Sequence, residues 1–177
     1  MRFLIFIVFI FYINPSYSAT DDWTSYGKGS GGGHFSKADE ITPENVKKLE
    51  RVWVHRSGDY KGGANSAGVK GGEYQTSFQA TPLLVDNTLF YCTSYNRVFA
   101  LDPETGKEKW VFDPKLKKDG RAILACRGLS SWKDETKSSS EKCHHRIMGV
   151  TIDAELFSID GKSGEICNDF GNNGRVN

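Results

Sequence analysis

The stretch Val98-Phe-Ala-Leu-Asp-Pro-Glu-Thr-Gly-Lys-Glu-Lys-Trp110 decides the fold. Its first four residues are apolar and suit a buried strand. Asp102, Pro103, Thr105 and Gly106 then supply turn chemistry. Pro presets φ, Asp can accept hydrogen bonds from the backbone just ahead, and Gly accepts a positive φ. The chain returns as a second strand from Glu108 and reaches Trp110. A large aromatic at a set distance after a hairpin turn reads as a residue that packs on a neighbouring copy of the same unit.

That copy follows 58 residues on. Leu156-Phe-Ser-Ile-Asp-Gly-Lys-Ser-Gly164 repeats the pattern without gaps. Phe99 aligns with Phe157, Asp102 with Asp160, Thr105 with Ser163 and Gly106 with Gly164. Upstream, residues 89–93 overlay residues 147–151. Trp110 falls opposite Asn168, so the aromatic is not repeated. Self-similarity built from short strands indicates a repeat architecture.

Around this hairpin the chain reads as a meander. Thr81-Pro82-Leu-Leu-Val85 is a strand with Pro at its start, Asp86-Asn87 a turn, and residues 88–93 the return strand. Ser94-Tyr-Asn96 turns again into the opening stretch. Four antiparallel strands in about 35 residues make one propeller blade. The class is all-β, with about two blades present. Two blades leave broad apolar faces wet, and propellers need four to eight. The expectation is therefore the N-terminal part of a larger propeller, ending just after a turn with no closing strand.

The whole chain is 177 residues long with a net charge of +1, which excludes an electrostatic footprint for nucleic acid. Its 19 glycines suit many tight turns. Residues 1–19 have the parts of a secretory signal peptide: Arg2, an apolar run over 3–13, and small residues at Ser18 and Ala19. The run is shorter than the roughly 20 residues a membrane span needs. Residues 20–177 are then the propeller portion. Thr42-Pro43-Glu44 reads as a helix start, with Val46 and Leu49 of the following short helix facing inward. Residues 51–56 alternate like a strand. Residues 60–77 lack any period and read as a long loop.

Cys92, Cys126, Cys143 and Cys167 allow three pairings. Cys126 and Cys143 flank a polar loop and are the disulfide candidate; Cys92 reads as a small buried hydrophobe. Their spacing fits no zinc motif. His144 and His145, adjacent on a strand, point to opposite faces and do not readily share one ion. Lys115-Leu-Lys-Lys118 is a solvated connection.

Several stretches, in order, resemble the quinoprotein dehydrogenases, eight-bladed propellers that bind pyrroloquinoline quinone. Ala100-x-Asp102-x-x-Thr105-Gly106-x-x-x-Trp110 is similar to their tryptophan-docking motif. Trp23-Thr-Ser-Tyr-Gly27 resembles their opening element, and residues 41–49 the short helix before the first strand. Phe78-Gln-Ala-Thr-Pro-Leu83 resembles the start of the first blade, and Cys126-Arg127-Gly128 a further family element. Phe170-Gly171-x-x-Gly174 looks like a stretch of the glucose dehydrogenase-like branch.

The resemblance implies a periplasmic enzyme, soluble or peripheral to the membrane. It would oxidise a sugar, polyol or alcohol by hydride transfer to pyrroloquinoline quinone, with Ca²⁺ as Lewis acid. Electrons would pass to a respiratory acceptor, ubiquinone or cytochrome c. It also implies cofactor contacts from Arg127 and Gln79 and a structural, inter-blade role for Trp110. A guanidinium fork suits the quinone's planar oxygens. The family's catalytic Asp and most calcium ligands lie on later blades, so no catalytic residue is expected here and the fragment alone should be inactive. Related alcohol dehydrogenases carry two adjacent cysteines at the quinone; Ala125-Cys126 cannot form that pair. The competing reading is a non-catalytic propeller scaffold of the outer-membrane assembly type, which shares the docking repeat and lacks the Cys-Arg-Gly element.

Overall fold

The computed structural model describes residues 22–29, 31–59, 75–116 and 123–177. The signal-peptide reading and most of the 60–77 loop lie outside those residues, as do the last two lysines of the 115–118 run.

Two four-stranded antiparallel sheets dominate. The first is β2 (Leu83–Val85), β3 (Thr88–Cys92), β4 (Val98–Leu101) and β5 (Glu108–Phe112), in that order. The second is β7 (Ser130–Lys133), β8 (His145–Val150), β9 (Leu156–Asp160) and β10 (Arg175–Val176), again in chain order. The 58-residue offset holds at atomic detail. Asp102 Oδ1 accepts from the Thr105 N–H at 2.8 Å and the Thr105 hydroxyl at 2.7 Å. Asp160 Oδ1 accepts from the Ser163 N–H at 2.8 Å and the Ser163 hydroxyl at 3.0 Å. Gly106 and Gly164 close the two turns at φ 70° and 73°, where a side chain would be strained.

Alternation along the first sheet sends side chains to two apolar faces. Leu83, Val85, Phe90, Cys92, Val98 and Ala100 pack with Ile147, Phe157 and Ile159 of the second sheet. Tyr91, Phe99 and Leu101 form a cluster on the opposite face, where Tyr91 and Phe99 stack at 5.4 Å. Trp53 packs against that second cluster. Its indole N–H donates to the Pro103 carbonyl at 3.1 Å, and its ring lies over Gly106. Trp110 makes the same pair of contacts one sheet later. Its N–H donates to the Gly161 carbonyl at 3.2 Å, and its ring lies over Gly164.

The remaining strands, β1 (Gln75–Thr81) and β6 (Ile123–Gly128), pair in parallel with each other. Each leads directly into one of the two sheets, so the pair ties the sheets together. The hairpin reading missed it because a parallel pair has no local turn signature. Residues 75–77, read as loop, belong to β1.

Other expectations are corrected. The helix after Pro43 is a single 3₁₀ turn, Val46–Lys48, and Val46 and Leu49 are exposed. Residues 51–56 run outside any ladder; they are held by side chains, through Trp53 and through His55, which bonds Glu108 at 2.7 Å and the Tyr91 hydroxyl at 2.5 Å. The second sheet does have a fourth strand, because residues 167–174 loop back and β10 pairs with β9.

The disulfides are Cys92–Cys126 and Cys143–Cys167, with Cα separations of 6.0 and 5.8 Å. The Cys126–Cys143 pairing is therefore wrong, as is Cys92 as a free hydrophobe. Cys126 lies on β6 against the end of β3. Cys143 is held elsewhere: its N–H donates to Asp160 Oδ2 at 2.6 Å, at the β9 turn. The polar loop between them separates the two cysteines instead of joining them.

Candidate functional site

A cleft of about 690 Å³ opens beside the ends of β1 and β6. Arg127, Gln79 and Tyr26 line it together with Leu129, Met148, Val150 and Leu156. Alternation on β6 explains Arg127. Leu124 and Cys126 are buried, and Cys126 is fixed by its disulfide to Cys92. The next side chain must leave by the opposite face. Arg127 is exposed, and its guanidinium makes no hydrogen bond or ion pair with a described residue.

Gln79 faces the same space from β1. The β1–β6 register is regular through Phe78 and Cys126 and shifts before Thr81 and Gly128. Gln79 and Arg127 therefore both sit at the irregular end of the ladder. The Gln79 amide N–H donates to Ser77 Oγ at 2.7 Å, which leaves its carbonyl oxygen free among the described residues. The fold thus brings together the two residues that the sequence pointed to, although 48 positions separate them.

Among the described residues the cleft offers one unpaired cation, one amide and apolar walls, and no carboxylate lines it. That donor set suits an anionic, partly apolar ligand, because a guanidinium pairs planar carboxylates through two parallel bonds. It does not suit a hard cation, which takes oxygen ligands from several carboxylates. Among the described residues one group has metal-ligand spacing, Cys143, Cys167 and Asp169. Its two sulfurs are joined to each other and offer no thiolate.

The histidines lie elsewhere. His144 Nδ1 faces the Asp134 and Lys137 carbonyls at 3.0 and 3.1 Å. His145 is buried, 2.8 Å from the Ser131 hydroxyl and 3.7 Å from Asp86 of the first sheet. Burial pushes its pKa below the usual histidine value. Burial also raises Tyr91, to about 12, so it stays a phenol, hydrogen-bonded to His55 Nδ1.

Sequence reasoning missed Tyr26 as part of the cleft. The Trp23–Gly27 element was visible, but nothing local shows that it crosses to β7, where the Ser131 N–H donates to the Thr24 carbonyl at 3.3 Å.

Two blade-like sheets in sequence order, joined by buried contacts at one repeat offset, define a β-propeller domain. Residues 23–177 match the model of the PQQ glucose/ethanol/alcohol dehydrogenase beta-propeller domain, and the chain belongs to that family. It is 36% identical over 171 residues to quinoprotein glucose dehydrogenase A of Acinetobacter calcoaceticus, covering 90% of this chain and 20% of that protein. It is 31% identical over 160 residues to the glycerol dehydrogenase large subunit of Gluconobacter oxydans (strain 621H), covering 90% and 21%. The chain thus spans about a fifth of the length of these relatives. Among solved structures, quinohemoprotein alcohol dehydrogenase from Comamonas testosteroni superposes with a TM-score of 0.61 at 24% identity, over 84% of this chain and 19% of that one, which bears on the fold alone.

Proposed function

We propose that this chain is part of a pyrroloquinoline quinone-dependent dehydrogenase that oxidises a sugar, polyol or alcohol, and that Arg127 and Gln79 contact the cofactor. The observation that carries this reading is the Arg127 guanidinium, unpaired among the described residues and held by a disulfide-anchored strand opposite Gln79 in the cleft. The family match supports it over a non-catalytic scaffold.

The donors fit the cofactor, which is a flat tricarboxylated ortho-quinone. Bound, it supplies a two-electron acceptor that no side chain can provide. Arg127 would pair a carboxylate or a quinone oxygen, and the free oxygen of Gln79 would accept a hydrogen bond. Leu129, Met148 and Leu156 would exclude water from one side and so strengthen these polar contacts. The general base and the calcium ligands would come from outside the described residues, since no described residue lining the cleft is a carboxylate. The isolated 177-residue chain should for that reason support no turnover. The remaining parts of the proposal are an eight-bladed ring, with Trp53 and Trp110 as its docking tryptophans, a periplasmic location, and electron delivery to ubiquinone or cytochrome c.

The test uses the protein that carries this chain in its apo form. Pyrroloquinoline quinone and Ca²⁺ are added, and dye reduction is followed with glucose, glycerol, quinate and ethanol. Reduction with at least one class is expected. Arg127→Ala should weaken quinone binding by about ten- to a hundredfold, the range for a lost hydrogen bond to a charged group. No binding and no reduction would end the proposal.

A further inference from the structure

We propose that Tyr26 is an aromatic wall of this cleft, stacking on a flat conjugated ligand that Arg127 holds by its charge. The inference rests on the reading that the cleft receives the quinone and adds a residue to it.

The N-terminal arm is held at two points. Trp23 exchanges two backbone hydrogen bonds with Leu84, at 2.7 and 3.1 Å, on β2. The Ser131 N–H then donates to Thr24 on β7. Both β2 and β7 are edge strands of their sheets, so the arm occupies backbone groups that would otherwise lack partners. It also braces β7 three residues after Gly128, next to the strand that carries Arg127.

Past these anchors the chain turns back sharply. Gly27 has φ 76°, and a Cβ there would lie 2.7 Å from Gly32 Cα. The His34 N–H donates to the Gly27 carbonyl at 3.1 Å and closes the loop. Closure brings the His34 ring against Tyr26, with centroids 4.8 Å apart and planes at 82°.

The outcome is an aromatic side chain fixed at its backbone yet 66% exposed. The edge-to-face contact with His34 leaves most of the ring open. It lines the cleft that holds Arg127 and Gln79. An exposed ring beside a guanidinium left unpaired among the described residues is the arrangement that recognises a planar aromatic anion: one side chain takes the face, the other the charge.

The experiment measures quinone binding by equilibrium dialysis, reading free pyrroloquinoline quinone by absorbance. It uses the apo protein that carries this chain, with Arg127→Ala as a reference and unfolding midpoints taken in parallel. Tyr26→Ala should weaken binding about three- to tenfold, the worth of one aromatic contact. Tyr26→Phe, which keeps the ring, should bind within about twofold of the wild type. If Tyr26→Ala binds like the wild type while Arg127→Ala is weakened, the wall is overturned and the site stands. If Tyr26→Phe is as weak as Tyr26→Ala, stacking is overturned too. If the wild-type protein retains no quinone, the underlying reading of the cleft has failed.

Discussion

Trp110 donates its indole N–H to the carbonyl of Gly161, 3.2 Å away and 51 positions later in the chain. The acceptor lies on the turn of the second sheet, so the bond crosses between sheets. The ring also packs on Phe90, with centroids 5.7 Å apart. Trp110→Ala should destabilise the protein by about 3 kcal/mol, the lower end for tryptophan truncation because the ring is only partly buried. Urea unfolding of the purified variant checks this. A loss under about 0.5 kcal/mol, the level of a neutral surface change, would mean that the indole holds nothing together.

Gly106 and Gly164 should each resist alanine. A Cβ at Gly106 would stand 2.5 Å from Trp53 Cε3, and one at Gly164 2.6 Å from Trp110 Cε3. Both positions also have positive φ. Steric clash and backbone strain act together, so either substitution should cost about 2–3 kcal/mol. In the double variant Gly164→Ala with Trp110→Ala the clash is gone. Its total cost should therefore fall below the sum of the two single costs.

His145 should make stability depend on pH. Burial is the largest cause of its lowered pKa; Lys133 and His144 act with it, while Asp86 and Asp160 oppose it. The unfolded chain then takes up a proton near the ordinary histidine pKa of about 6.5, before the folded protein does. Stability should be full above that pH and fall as the pH drops below it, until the folded form also protonates. Unfolding midpoints across pH 5 to 7.5 measure the slope. His145→Gln should lower stability at neutral pH and flatten the slope; an unchanged slope would assign it to another group.

The two disulfides span 34 and 24 residues. In the loop-entropy account each contributes about 3–4 kcal/mol by restricting the unfolded chain. Proteolysis without reduction should release two cross-linked peptide pairs, one holding Cys92 with Cys126 and one Cys143 with Cys167. Reduction should also loosen quinone binding, because Cys126 precedes Arg127. A peptide joining Cys126 to Cys143 would contradict the structure.

The local chemistry of residues 98–110 was enough to place the hairpins. Asp102 and Gly106 can act only as a turn pair, and a second Asp-Gly pair 58 residues on repeats the geometry. The two cleft residues, Arg127 and Gln79, came instead from resemblance. Alternation fixes which face of β6 Arg127 leaves by, but nothing local says what lies opposite.

What the sequence by itself determined was the meander around residues 81–112, its turns and the 58-residue repeat that carries its hairpin into the second sheet, because hairpin pairing is a matter of neighbouring residues and backbone preference. What only the tertiary structure decided was everything joined across distance. The parallel pair β1–β6, the cysteine partners, the seat of Trp53 and the path of the N-terminal arm past Tyr26 all belong to that second group. Each joins groups tens of residues apart that no periodicity links. Their meeting is settled by burial of shared apolar surface and by the need of edge-strand backbone groups for partners.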